Sequence, residues 1–403
     1  MKSTLHLLVV VFLCTTLSTV HTTDPINDDN DKLNTSGYLF DVNVTKINSE
    51  FSEIPSAVFR NKLVLVSSKK IGAIGNGKDK YTRQPYSNLF CTDINKADIE
   101  LSQPIFFSRI LNSKGNDGQL SFTPDETTVY YTQSTRDNSA NYQLYTAELK
   151  PNSYGKWINQ HKLGISSDDY SIENPHVSED GKFLYFSSNM EGGFGGFDIY
   201  KALIKPYGLL GEPINLGRNI NTEKDEKYPH TARNGNELFF SSKGHNSQGG
   251  FDIFISNNHR NLNYTKPRNL GVKINSIRDD IAFVLIDEDR GVYSSNAGNR
   301  GQRYNMYKFN ARAIYQNLEG IVVENNGEKI SDAIVILYDS SGTEIGRQIT
   351  GRDATYSFKI RPFEGYHLKT VKDGYEDAMV EFQSQNVNTD VAYNEVLKLS
   401  TKG

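Results

Sequence analysis

The chain has little sulfur and little indole. Its 403 residues include two cysteines, four methionines and one tryptophan. Cys14 lies in an N-terminal apolar run, and loss of that run leaves Cys91 alone. An intramolecular disulfide is then excluded, so the fold rests on its core, which a chain of this size can supply. Neither sign of charge dominates: 44 Lys and Arg face 48 Asp and Glu, a net charge of −4. That balance lacks the basic footprint of a nucleic-acid-coating protein. No apolar run reaches the ~20 residues of a bilayer-spanning helix, so no transmembrane span is expected in the mature chain. No G-x-S-x-G elbow with a triad context occurs. What is plentiful is aromatic and turn chemistry: 23 Tyr, 21 Phe and 32 Gly against 12 Pro. Strands and turns are favoured over helices.

The N-terminus carries an export pattern. Lys2 precedes the apolar stretch Leu5 to Leu13, and small and polar residues follow from Thr15 to Thr23. This reads as a signal peptide over 1–22. Leu13 stands before Cys14 where lipidation requires a small residue, so a lipid anchor is not expected. The leader 23–37 is polar and acidic, with almost nothing to bury.

A repeat fills the middle of the chain. GGFDIYKA at Gly195–Ala202 returns as GGFDIFIS at Gly249–Ser256, with weaker copies ending the same way. The aligned aromatics are Phe90, Tyr145, Tyr200, Phe254 and Tyr307, spaced by 55, 55, 54 and 53. Ahead of each lies a short continuous apolar run, such as KFLYFSS (Lys182–Ser188) or ELFFSS (Glu237–Ser242). Strands buried on both faces read this way. Asp-Gly and Asn-Gly turns lead into these runs from another strand. One unit is therefore strand a, a tight turn, strand b, a Gly-rich turn, strand c and a polar strand d. Units of this kind make propeller blades. YLFDVNV (Tyr38–Val44) lines up with strand d and would complete the sheet containing Tyr307. The expectation is an all-β chain with a five-bladed β-propeller over 38–310. Six blades remain the alternative, if Tyr38–Val44 belongs to a separate incomplete blade.

This pattern resembles the WD40-like repeats of TolB-type propellers. The Gly-Gly before Asp-Ile-Tyr is similar to envelope proteins of the Bacteroidetes that carry an OmpA-type C-terminus. After a linker at 311–317, residues 318–400 read as a small β-sandwich. Its strands are separated by Asn-Gly, Ser-Gly and Asp-Gly turns. It resembles the carboxypeptidase regulatory-like domain at Gly320, Ala333–Val335, Tyr356–Phe358, Tyr366 and Gly374–Tyr375. Ala354 departs from it, standing where that family often has Gly. No OmpA-like segment follows before Gly403, so peptidoglycan binding by a domain of this chain is not expected.

The attractive side chains mostly recur. Asp198 and Asp252 have Asn305, Gln143 and Asn88 as equivalents, which fits polar groups that bond nearby backbone. His176 and His230 align with Ser56, Ser121 and Phe283 as candidate channel-lining residues. A metal needs more ligands than two imidazoles, so no metal and no cofactor are expected. Asp168, Asp169, Glu173, Asp279 and Asp280 precede strands a and are among the candidates for paired-carboxylate chemistry, though loop carboxylates are abundant in any such protein. Cys91 follows Phe90 in strand c and should be a buried structural thiol. The repeat breaks once: Ser68 to Phe90 is 22 residues where other blades have 12 or 11. That loop, Lys69–Tyr86, offers Lys69, Lys70, Lys78, Lys80 and Arg83 with Tyr81 and Tyr86. It could dock an acidic partner, or it is a tolerated surface insertion.

The resemblance implies a non-enzymatic scaffold or protein-interaction module. It would be periplasmic or outer-membrane-associated, with an extracellular place left open, and would bind envelope or outer-membrane proteins, as in type IX secretion or gliding assemblies. The alternative is a secreted glycan-binding or glycan-cleaving propeller. Acidic side chains converging on one channel mouth would favour the latter; a channel filled by Ser, His and aromatics would favour the former.

Overall fold

The computed structural model describes residues 36–71, 77–80, 83–258, 264–299, 303–384 and 391–402. The signal and leader lie outside them, except for Ser36 and Gly37.

Five antiparallel sheets follow one another along the chain. In the third, Ile172–Val177, Phe183–Ser188, Asp198–Leu203 and Ile214–Asn215 pair in sequence order. The fourth repeats this with Glu226–Ala232, Glu237–Ser242, Asp252–Asn257 and Arg268–Asn269. The b strands are buried along their length, Glu237–Ser242 at every residue, because neighbouring sheets cover both faces. Phe240 and Phe254 meet Leu216 and Ile220 between the third and fourth sheets. Each such ring stabilises the fold by about 1.5–3 kcal/mol.

The inner strands make a closed circuit. Glu53–Phe59 touches Asp117–Phe122, and contact passes on through Ile172–Val177 and Glu226–Ala232 to Asp280–Leu285, which touches Glu53–Phe59 again. The last sheet takes its outer strand from the chain's start. Tyr38–Val44 runs antiparallel to Asn305–Ala313, with Tyr38 opposite Ala313 and Val44 opposite Tyr307. Phe40 from this strand packs edge-on to Phe309 and Phe283. The arrangement covers the outer edge of Asn305–Ala313, which would otherwise stand bare.

Two further sheets follow. Gln316–Glu324 pairs with Thr355–Ile360 and, in parallel, with Tyr393–Leu399. Ile334–Asp339 lies between Glu344–Ile349 and Gly365–Val371, with Ala378–Gln383 outside. Leu318, Val335, Tyr356, Leu368 and Leu397 form the core between them. A Cβ at Gly320 would stand 2.0 Å from the Glu395 carbonyl oxygen, so the close approach there requires glycine.

Candidate functional site: the channel, its mouth and the loops around it

Every inner strand carries a bulge where the register shifts. Asn174, Tyr228 and Ala282 sit in these bulges with φ of 53°, 56° and 57°. Such a bulge re-aims the next side chain, here toward the axis. Ser121, His176 and His230 pair with Tyr130, Tyr185 and Phe239, each three residues before the end of the b-strand match. At that register the first sheet has Ala57 and the fifth Val284. Ser56 and Phe283 therefore stand one residue short of the position assigned to them from sequence. The a-to-b turn is shorter in those two sheets: the paired residues at this register are nine apart in Ser121–Tyr130, His176–Tyr185 and His230–Phe239, eight in Val284–Val292 and seven in Ala57–Val64, and one step reverses the face of a strand. Both still border the channel from the bulge. Phe283 stacks on Phe239 and Phe309, at 4.5 and 4.3 Å between centroids.

The polar groups of this tier stitch each sheet to the next. The Leu120 N–H donates to Ser56 Oγ at 2.7 Å, and Val177 N–H to Ser121 Oγ at 2.9 Å. Thr231 N–H donates to His176 Nε2 at 2.9 Å, and Leu285 N–H to His230 Nε2 at 3.2 Å. A ring nitrogen that accepts from an amide carries no proton, so both imidazoles are neutral Nδ1–H tautomers by this network. Burial agrees: it pushes His230 down to about 4 and His176 well below the usual range, the neighbouring His230 adding to the latter. The two rings lie 4.5 Å apart. Their lone pairs are spent on backbone, and among the described residues no three His, Cys, Asp or Glu side chains gather to hold a metal. The channel space here is about 20 Å³, room for a water and little else.

The recurring carboxylates hold turns. Asp198 Oδ2 accepts from Phe194 N–H at 2.7 Å and Asn215 Nδ2 at 2.8 Å. Asp252 Oδ2 accepts from Gln248 N–H at 2.9 Å and Asn269 Nδ2 at 2.8 Å. Asp280 accepts from the Ser276 amide and hydroxyl at 2.6 and 2.8 Å, and burial raises it to about 6. Asp279 takes Phe251 N–H, Asn296 and the Tyr304 hydroxyl. Asp168 and Asp169 are exposed in a loop. Glu173 differs: it pairs with Lys227 at 2.9 Å, whose ammonium lies 3.5 Å from the centroid of Phe197. These candidates are distributed among turns and one ion pair. Serine hydroxyls beside them, Ser171 on Glu173 at 3.1 Å and Ser276 on Asp280, lie within two to four residues in sequence and close local turns.

In the blade-one loop, Lys70, Lys78, Lys80 and Arg83 are exposed and Lys69 is half-buried. Asp79 N–H to Gln84 O at 2.8 Å and Arg83 N–H to Asp79 O at 3.0 Å tie part of it into a hairpin. Tyr86 is buried, with the Arg136 guanidinium over its ring, so it packs the loop's base instead of meeting solvent. Tyr81 lies outside the described residues. Cys91 is buried, and burial pushes its thiol up.

Sequence reasoning missed the junction between ring and C-terminal sheets. Buried Glu237 accepts from the Tyr38 hydroxyl at 2.7 and 2.8 Å and from Arg361 Nη2 at 3.3 Å. Arg233 pairs with Glu364 at 2.9 Å, and Arg361 with Glu364 at 3.2 Å. Arg268 lies 3.9 Å over Phe363. A signal existed: Glu237 occupies the b-strand position held elsewhere by Lys62, Thr128, Phe183 and Arg290, and is its only acid.

No family model and no curated protein matches the chain. Solved structures similar to it include TolB from Acinetobacter baumannii, 14% identical over 64% of this chain and 55% of that one, with a TM-score of 0.33. The chain thus spans about half of that TolB. RS223 β-xylosidase is 12% identical over 72% of this chain and 98% of its own, with a TM-score of 0.41. GH43B of a Bacteroides ovatus xyloglucan PUL is 11% identical over 86% and 92%, with a TM-score of 0.42. Likenesses this slight transfer no activity. Enzymes stand among them beside TolB.

Proposed function

We propose that the chain is a five-bladed propeller at 38–310 joined to a β-sandwich at 318–400, and that it works as a non-enzymatic interaction module of the cell envelope. The observation that carries this reading is the use made of the channel's polar groups. Ser56, Ser121, His176 and His230 each bind the backbone of the next sheet, in a channel with about 20 Å³ of space. Chemistry needs a convergent, accessible constellation, whereas partner binding needs exposed loops on a rigid frame. The cationic loop Lys69–Tyr86 supplies the latter, with an acidic face of an envelope or outer-membrane protein as its complement. The export pattern supports the setting, and the Gly-Gly-x-Asp-Ile-Tyr resemblance supports a place near type IX secretion or gliding machinery. Cross-linking in cells followed by mass spectrometry tests it. Envelope proteins linked through Lys70, Lys78 or Lys80 are expected; cross-links confined to cytosolic proteins would refute it.

A further inference from the structure

A cleft of about 610 Å³ opens where the fourth sheet of the ring meets the C-terminal sheets. That volume lies in the range of small-ligand sites, which favour such junctions. Asn234, Asn236 and Asn258 form its ring wall, and Ser341, His367 and Glu381 stand on the other.

The ring wall departs from the repeat. In the second and third sheets the a-to-b turn is held by its own polar side chains. Asp125 takes the Thr123 and Thr127 hydroxyls, and Asp180 takes the Ser178 hydroxyl and the Lys182 amide. The fourth turn, Ala232–Asn236, reads A-R-N-G-N and has no such acid. Arg233, Asn234 and Gly235 adopt φ of 54°, 56° and 78°, and the four-residue loop between Ala232 and Glu237 closes through its backbone, Gly235 N–H to Ala232 O at 3.1 Å and Asn236 N–H to Arg233 O at 3.2 Å, with Glu179 accepting the Asn234 N–H. Backbone geometry thereby releases the Asn234 and Asn236 amides toward the cleft. Asn258 lines the same wall, and its Nδ2 donates one proton to Gly235 O at 3.4 Å and has a second to give.

The lining limits the occupant. Tyr366 and Phe382 are buried, 3% and 9% exposed, so no aromatic or aliphatic surface awaits an apolar ligand. His367, the basic side chain of the far wall, pairs with Glu381 at 3.2 Å, so a phosphate finds no free cation. Amides donate and accept at once, as sugar hydroxyls do. We propose that this cleft binds a short neutral oligosaccharide. The site lies away from the channel and the cationic loop, and does not depend on the scaffold reading.

The test is calorimetric titration of the mature chain with cellohexaose, xylohexaose, maltohexaose and chitohexaose, alongside a pool of extended hexapeptides. Saturable binding of at least one sugar is expected. Asn236→Ala and Asn258→Leu should each weaken it roughly three- to tenfold, the worth of one neutral hydrogen bond. Asn236 is exposed in a turn, so its variant keeps the native melting temperature; should Asn258→Leu unfold, His367→Ala on the opposite wall replaces it. Absence of binding to all four sugars overturns the proposal, as does binding that the cleft variants leave unchanged or binding of peptides alone. Failure to capture envelope proteins would leave this result untouched.

Discussion

His230 shows how a residue that looks like chemistry serves the frame. Its Nε2 must stay unprotonated to accept the Leu285 amide, and burial pushes its folded pKa down to about 4 from the usual 6.5. The unfolded chain then binds more protons between those values. Stability from this group is complete above pH 6.5 and is lost as pH falls toward 4. The difference amounts to as much as ~3 kcal/mol. Asp280, raised to about 6, acts in the opposite sense: its contribution is present at low pH and lost as pH rises through 6. Comparing native protein with His230→Gln cancels that background. The variant's urea midpoint should be lower at pH 7.5 and fall less steeply toward pH 4.5; parallel profiles would deny the imidazole its role. Cys91 makes a plainer case. Buried, with its thiol pushed up, it should label with a thiol reagent only at the rate of global or local unfolding. Labelling of the folded chain within seconds would place it at the surface.

At the scale of elements, the repeat gave away most of the ring. A period near 54 with aromatics at fixed places specifies strand order, and Tyr38–Val44 was legible as the missing outer strand because its pattern matched no inner one. Its pairing from Val44 opposite Tyr307 to Tyr38 opposite Ala313 follows that reading. What failed was register. Ser56 and Phe283 miss the channel register because the a-to-b turns of their sheets are shorter than those of the other three, and one residue of turn length turns a strand's side chains to the other face. Tyr86 failed for another reason: an aromatic in a cationic loop looks like an anchor until the Arg136 guanidinium covers it. The closing strand carries a testable load. Phe40, 6% exposed against Phe283 and Phe309, should cost ~3–5 kcal/mol as Phe40→Ala. Deleting Tyr38–Val44 should lower the melting temperature further. An unchanged thermal transition would mean that the ring closes without it.

For the whole molecule, the decisive contacts lie far apart in sequence and were invisible to any local pattern. Tyr38 and Glu237 meet across 199 residues and Glu237 and Arg361 across 124. Burial raises Glu237 to about 7, against the pull of Arg233, the Tyr38 hydroxyl and Arg268, and Arg361 reaches the same carboxylate at 3.3 Å. Removing one partner of such a network leaves the others uncompensated, at about 3–5 kcal/mol. Arg361→Met should therefore loosen the C-terminal sheets from the ring. Small-angle scattering should show a larger radius of gyration while both parts keep their strand signal; an unchanged radius would make the network incidental to docking.

The central claim is that the interior side chains keep the frame while the exposed loop meets the partner. Its most direct test measures partner capture by three chains: native, one with Lys69–Tyr86 cut to the length of the other b-to-c turns, and Glu173→Gln, which breaks the ion pair with Lys227. The account predicts that all three fold, that the shortened loop loses capture, and that Glu173→Gln retains it. Full capture by the shortened chain, or polysaccharide turnover by the native chain that Glu173→Gln abolishes, would contradict it.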